Sequence, residues 1–151
     1  MADIQYNFIN LPSRIEFENG HVISYLYDAD GIKLRTTHII GSDTTVTDYC
    51  GNVIYENGIP VKLLTEAGYV TLADSKYHYF VQDHLGNNRV VVDQSGNVEE
   101  VNHYYPFGGL LSSSVSNAVQ PYKYNGKELD RKNGLDWYDY CLLYTSPSPR
   151  D

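Results

Sequence analysis

Five histidines, two cysteines and a recurring aspartate are the residues of this chain that could carry out catalytic or metal chemistry. Cys50 lies in a predicted tight turn with no histidine near it in sequence, which favours an incidental thiol over a nucleophile. His78 and His84 are six positions apart across a predicted strand and turn, and this spacing specifies no third metal ligand. We therefore expect no catalytic, cofactor-binding or metal residue, no cofactor and no enzyme; a cysteine- or metal-dependent hydrolase is a further alternative.

The motif Asp-x-x-Gly occurs four times and is typical of a tight turn. An aspartate at the first position accepts backbone N–H groups, and a glycine at the fourth adopts the positive φ that ends a bulged hairpin loop. The pattern predicts repeated hairpin turns at Asp28 and Gly31, Asp48 and Gly51, Asp83 and Gly86, and Asp93 and Gly96. Calcium binding is a weaker alternative, because calcium needs about 6–8 oxygens in one cage and each motif supplies one carboxylate.

Tyrosine is the most unusual component of the chain, with 15 residues against 4 phenylalanines and 1 tryptophan. Their spread along the chain favours semi-buried packing in strands, and a carbohydrate-binding surface of exposed Tyr and Trp is the alternative.

The formal charge of −8, from 11 basic and 19 acidic residues, argues against nucleic-acid or anionic-membrane surfaces. No apolar stretch approaches the ~20 residues of a membrane helix, and residues 1–6 lack a signal-peptide pattern.

The elements that would position these residues are short strands. Runs rich in Val, Ile, Tyr and Thr alternate with Gly next to Asn or Asp, which predicts an all-β fold. We predict eleven strands between Arg14 and Asn125, of which the last is Tyr122–Asn125. Because Asn, Asp and Gly tolerate positive φ, three dipeptides predict hairpin turns: Asn19-Gly20, Asp30-Gly31 and Asn57-Gly58.

Longer motifs extend the turn pattern. Tyr25–Arg35 reads YLYDADGIKLR, and a degenerate version surrounds Asp48–Asn52. Three further motifs, which we call the first, second and third core elements, are Asp83–Arg89 (DHLGNNR), Tyr104–Gly108 (YYPFG) and Tyr122–Tyr140 (YKYNGKELD followed by GLDWYDY). With these motifs in this order, the chain resembles the YD-repeat, or Rhs, family and its repeat-associated core. The residues that match the core pattern are His84, Arg89, Tyr105, Pro106, Phe107, Gly108, Tyr124, Gly126, Lys127, Glu128, Asp130, Gly134, Leu135 and Tyr138.

The resemblance implies a scaffold. YD-repeat hairpins would form a curved sheet, one section of a larger β-shell that encloses a C-terminal, toxin-like cargo. The full protein would be a secreted or surface-exposed bacterial protein of intercellular competition, and its partners would be the rest of the same polypeptide and the cargo. Neither nucleic acid nor membrane insertion is expected, and a glycan is the alternative partner.

The resemblance also divides the chain. It implies a degenerate YD-repeat section at 1–74, a core segment at 75–140 and an unmatched tail at 141–151. The tail resembles translated adapter sequence and is expected to be an artefact; the alternative is a genuine Pro/Ser tail, which would be disordered. In the family, self-cleavage residues follow the last motif; this sequence departs from the family pattern after residue 140, so none of them is assigned here. We expect the chain to be a fragment, cut before the autoproteolytic motif.

Overall fold

The computed structural model describes residues 3–106, 108–111, 114, 120–132 and 135–139. Eleven strands form one open antiparallel sheet in which each strand neighbours the next along the chain. They are β1 Asp3–Tyr6, β2 Pro12–Glu16, β3 Val22–Tyr27, β4 Lys33–Ile40, β5 Asp43–Cys50, β6 Val53–Glu56, β7 Ile59–Thr65, β8 Gly68–Thr71, β9 Lys76–Gln82, β10 Asn88–Asp93 and β11 Val98–Val101. A 3-10 turn, Tyr124–Gly126, precedes a two-stranded ribbon of β12, Leu129–Asp130, and β13, Trp137–Tyr138. The predicted all-β class is confirmed.

The strand pattern differs from the prediction at both ends. Tyr122–Asn125 is not a strand, because Asn125 has a φ of 51° and the N–H of Lys127 bonds back to the C=O of Tyr124 at 2.9 Å. A positive φ is incompatible with extended backbone. Conversely, β1 lies ahead of the first predicted strand. Three of its four residues are exposed, so it lacks the alternation that identifies a half-buried strand.

The described residues divide into two compact units, 3–62 and 63–139. The apolar core of the first unit comes from a loop residue, Leu11, and from strand residues that include Ile15, Val22 and Ile23. Ile15 of β2 and Ile23 of β3 are direct cross-strand partners, and both are fully buried. Such pairs on one face of neighbouring strands are what stabilise a short antiparallel hairpin.

The core of the second unit contains an aromatic stack. Tyr69 of β8 is 2% exposed and lies parallel to the ring of His78 of β9, with centroids 4.4 Å apart. Val70, Val91 and Leu129 are the other buried apolar residues described in this unit. Burial raises the pKa of Tyr69, and the nearby carboxylate Glu99 adds to this effect.

The glycines of the three predicted hairpin dipeptides all have positive φ. Between β6 and β7, Asn57 and Gly58 have φ of 51° and 81°, which is the signature of a two-residue type I′ loop. Gly20 and Gly31 have φ of 77° and 82° and end longer loops, in which the glycine N–H bonds to the C=O three residues before it.

Candidate functional site

Three of the four Asp-x-x-Gly motifs form the same turn. In each, the aspartate C=O accepts the glycine N–H at 3.0 to 3.2 Å. One carboxylate oxygen accepts the N–H groups two and four residues further on, at 2.8 to 3.1 Å. The aspartates are Asp28, Asp83 and Asp93, and Gly31, Gly86 and Gly96 follow at φ of 82°, 80° and 84°. These bonds give both the aspartate and the glycine of each motif a role within the turn itself.

The predicted turn role of Asp48 is wrong. Asp48 lies inside β5, and its two carboxylate oxygens accept Nε and Nη2 of Arg35 in the neighbouring strand β4. The strand continues to Cys50, which is exposed, and only Gly51 and Asn52 remain for the loop. Gly51 has a φ of 63° at the first loop position, as a type II′ turn requires. Asp48 is therefore held in the ladder by its pairing with Tyr55 of β6 as well as by the ion pair with Arg35, and it does not form the predicted turn.

A further turn with the same hydrogen bonds, at Asn7, was not predicted from the sequence. The side-chain oxygen of Asn7 accepts the N–H groups of Ile9 and Leu11, each at 3.0 Å. Asn10 occupies the glycine position with a φ of 59°. Asparagine replaces both marker residues, so the signal that would have found this turn is Asn-x-x-Asn.

In the first core element, Asp83 also binds two side chains. Its second carboxylate oxygen accepts Nδ2 of Asn87 and Nε of Arg89, both at 2.8 Å. Burial raises the pKa of Asp83, but these hydrogen bonds outweigh burial and hold the pKa well below its usual range. The guanidinium of Arg89 lies 5.3 Å from the ring centre of Tyr104, in the second element. His84 is exposed in the loop of this turn.

The first element is bound directly to the third. Asn88 is fully buried; its side chain donates to the C=O of Tyr122 at 2.7 Å, and its backbone N–H donates to the C=O of Lys123 at 3.1 Å. The side-chain oxygen of Asn87 accepts the N–H of Asn125 at 2.8 Å. These side-chain bonds join groups that are 34 and 38 residues apart in sequence.

The second element forms a tight loop. The N–H of Gly108 bonds to the C=O of Tyr105 at 2.9 Å, and the N–H of Tyr105 bonds to the C=O of Gly109 at 2.7 Å. Pro106 takes the position for which its fixed φ is suited, and Gly108 has a φ of 89°. Phe107 lies outside the described residues.

Two tyrosines of the third element hold this loop. The hydroxyl of Tyr124 donates to the C=O of Pro106 at 3.1 Å, and that of Tyr138 donates to the C=O of Gly108 at 2.8 Å. A Cβ on Gly108 would lie 2.9 Å from the Tyr124 ring. Tyr104 and Tyr138 flank Tyr124 with ring centres 5.7 and 6.0 Å away. The second and third elements are therefore packed as one cluster.

The other matched residues of the third element lie in its turns and ribbon. Gly126 has a φ of 67°, and the N–H of Lys127 closes the 3-10 turn. In and beside the ribbon, the C=O of Glu128 accepts the N–H of Asp139 at 2.9 Å. Oδ1 of Asp130 accepts the N–H of Lys132 at 3.1 Å, and the C=O of Lys132 accepts the N–H of Leu135 at 3.2 Å. Gly134 lies outside the described residues.

A buried ion pair joins β11 to the third element. The ammonium of Lys123 donates to Oε1 of Glu100, and each residue is 2% exposed. Asn102 and Gln120 also donate to this carboxylate, the latter at 3.0 Å. Burial lowers the pKa of Lys123, and Glu100 partly opposes that effect. This pair was not predicted from the sequence; the signal that points to it is Glu99-Glu100 within a strand, since a regular alternation would place one of two adjacent carboxylates on the buried face.

The second unit also contains an open cleft of about 290 Å³ beside the loop of the second element. The apolar surface of this cleft comes from Leu110, Leu129 and Tyr138. Arg131 and Asp136 also line it, and their ion pair joins Nε to Oδ1 at 2.9 Å.

Among the residues that the structure describes, no group of three or more His, Cys, Asp or Glu side chains is placed to hold a metal ion. Within the same residues, no helix has the length and apolar character to cross a membrane.

These features define a repeat-type β protein in which consecutive hairpins are followed by a closing segment packed on the last strands. Solved structures share the fold. The chain is similar to the crystal structure of TcdB2-TccC3-TEV, with a TM-score of 0.73 and 17% identity over 92% of this chain. It is also similar to the Photorhabdus luminescens Tc holotoxin pore with the TccC3-D651A mutation, with a TM-score of 0.72 and 17% identity over 94% of this chain.

A third similar structure is that of TcdB2-TccC3, with a TM-score of 0.72 and 16% identity over 92% of this chain. The chain spans 8% of the length of each of these neighbours. At this level of identity the likeness establishes the fold alone. No protein-family model and no curated protein matches the chain.

Proposed function

We propose that the chain is a non-catalytic scaffold, one section of an Rhs, or YD-repeat, shell. The shell encloses a C-terminal, toxin-like cargo of a secreted or surface-exposed bacterial protein of intercellular competition. The observation that carries the proposal is that the three core elements, identified separately in the sequence, bind one another in the second unit. The hydrogen bonds of Asn87 and Asn88, and the tyrosine hydroxyls at Pro106 and Gly108, make these connections.

The mechanism is exclusion. A shell keeps an enclosed polypeptide away from its surroundings only if its strands form a continuous hydrogen-bonded ladder. The aspartate turns connect consecutive strands with short, fixed loops, and the third element closes on the strands by a buried ion pair. The fold similarity to chains of a Tc holotoxin supports this role.

One face of β9 is suited to contact an enclosed chain. Tyr77, Tyr79 and Val81 alternate along this strand and are 50%, 43% and 51% exposed. Their partner positions on β10 include Val90 and Val92. A contiguous apolar face of this kind is typical of a surface that contacts polypeptide.

Protection of the cargo is the test of this proposal. The coding DNA would be read past codon 140, and the complete polypeptide expressed with its natural C-terminal segment. We expect that segment to resist limited proteolysis while it is part of the intact protein and to become sensitive on mild denaturation. The matched control is the same segment expressed separately and mixed with the remainder. Equal digestion rates in the two samples would contradict the proposal.

A further inference from the structure

A carboxylate, an imidazole and a hydroxyl lie in series in the second unit. Oε2 of Glu99 lies 2.6 Å from Nδ1 of His78, and Oγ1 of Thr71 lies 3.0 Å from Nε2 of the same ring. The side chain of His78 is 7% exposed, whereas that of Glu99 is 31% exposed and Thr71 is partly exposed. Thr71 and Glu99 are therefore partly exposed at the two ends of the series, while the imidazole between them is buried.

The local fold accounts for this placement. Tyr69 and His78 are register partners on β8 and β9, so Thr71, two residues after Tyr69, lies on the same face of the sheet. In β11, Glu100 pairs with Val91 but Val98 pairs with Val92, which leaves Glu99 as an extra bulged residue. A bulge redirects a side chain, and Glu99 reaches His78 two strands away.

The order of these groups fixes the proton positions. When the carboxylate is ionised and the imidazole is neutral, Nδ1 of His78 carries the proton and donates it to Glu99, because a carboxylate can only accept a hydrogen bond. Nε2 then has a free lone pair, and the hydroxyl of Thr71 donates to it. The stacked ring of Tyr69 holds the plane of the imidazole, at an interplanar angle of 8°. A nucleophile, a base and an orienting carboxylate are arranged in this order in acyl-transfer sites.

We propose that Thr71 is an activated hydroxyl that accepts an acyl group from an activated ester. Its oxygen attacks the ester carbonyl, and His78 takes the hydroxyl proton at Nε2. The bond from the acyl carbon to the leaving oxygen then breaks, and the proton passes from His78 to the departing phenolate or alkoxide. The product is a threonine ester on the protein. The reaction is a single acylation of this chain and needs no turnover, so it is compatible with a scaffold.

The test is covalent labelling of the chain with p-nitrophenyl acetate. Peptide mapping by mass spectrometry is expected to place one acetyl group on Thr71. Thr71→Ser should retain labelling at this position, and the isosteric variant Thr71→Val should lose it. His78→Gln should slow labelling of Thr71 about 100-fold or more, because it removes the base. Glu99→Gln should slow it by a smaller factor, since the imidazole loses its orienting charge.

The same bonds would also connect β8, β9 and β11 if their role were structural only, and the labelling separates the two cases. His38→Gln is the matched control, because His38 is also a buried histidine, at 6% exposure, and lies in the other unit; it should leave Thr71 labelling unchanged. Absence of acetyl on Thr71 in the unaltered chain would overturn the proposal, as would equal labelling rates with His78→Gln. If His78→Gln does not fold, the labelling rate of Glu99→Gln decides the question, and a rate equal to that of the unaltered chain would overturn the proposal.

Discussion

At the scale of single residues, the aspartate turns depend on hydrogen-bond acceptance more than on charge. Asn7 forms the same pair of backbone bonds with a neutral amide oxygen that Asp28 forms with a carboxylate. Charge contributes to stability where the second carboxylate oxygen has a cationic partner. Oδ2 of Asp83 has such a partner, because it lies 2.8 Å from Nε of Arg89. The two contributions can therefore be separated by replacing aspartate with asparagine.

Replacing Asp83 by Asn should weaken the acid dependence of stability. The folded pKa of Asp83 lies below its ordinary value of 3.8, so the folded state binds fewer protons. Its stabilising contribution is present above the ordinary pKa and is lost as the pH falls below it. We expect the urea midpoint of the unaltered chain to fall between about pH 5 and about pH 3, and that of Asp83→Asn to fall less steeply. Asp30→Asn, at an exposed loop position, is the control. Parallel pH profiles for the Asp83 variant and the unaltered chain would refute this prediction.

The buried pair of Lys123 and Glu100 makes a stronger prediction. Lys123→Met removes the cation and leaves the carboxylate buried without its countercharge, which costs about 3–5 kcal/mol of unfolding free energy. The double variant Lys123→Met with Glu100→Gln should recover part of this loss, because no buried charge is left. Lys127→Met, at an exposed position of the same element, is the control. Urea denaturation at one fixed protein concentration measures all four chains, and a loss below about 1 kcal/mol for Lys123→Met contradicts the buried-pair interpretation.

At the scale of elements, β8 and β9 leave no room for a side chain at Gly68. A Cβ on Gly68 would lie 1.9 Å from the carbonyl oxygen of His78. This oxygen belongs to the backbone of a paired strand, so it cannot move without disturbing the ladder that also positions His78. Glycine is therefore required at the start of β8 by contact, as well as by its φ of 154°.

Gly68→Ala should destabilise the second unit by at least about 3 kcal/mol, because the added methyl group forces β8 and β9 apart. The matched control is Gly96→Ala in the same unit. Gly96 has a φ of 84° with open space around its Cβ position, so this variant meets only the backbone strain of about 1–2 kcal/mol. Thermal unfolding followed by circular dichroism compares the two variants. Equal losses would show that the close approach does not limit the packing of these strands.

The elements also show what the sequence could predict. The turns at Asp28, Asp83 and Asp93 depend on residues within five positions, so local chemistry is sufficient to locate them. Asp48 of β5 instead binds Arg35 in another strand, a contact that no local pattern reports. The bond from Lys123 to Glu100 spans 23 residues, and the approach of Glu99 to His78 depends on a bulge in β11. Contacts between residues of different strands depend on how the strands pair, so they cannot be predicted from local sequence patterns.

At the scale of the whole molecule, the sheet order begins with β1 and ends with β11. The chain covers 8% of the length of the solved chains that it resembles in fold. Among the described strands, β1 and β11 each have one neighbour in this order. Unpaired strand edges are templates for pairing with other chains. This sets the expected behaviour of the chain in isolation.

The isolated chain should associate in solution instead of forming a well-behaved monomer. β1 has an exposed apolar residue, Tyr6, at 53% exposure, and Tyr6→Lys should reduce association because a charge on an edge strand opposes pairing with a second chain. Ile59→Lys is the matched control: Ile59 is 66% exposed but lies in β7, an internal strand of the sheet order, so it should change the association less. Size-exclusion chromatography with light scattering, over a range of protein concentrations, measures the mass. A sharp monomer peak with cooperative melting for the unaltered chain would show that its edges need no partner.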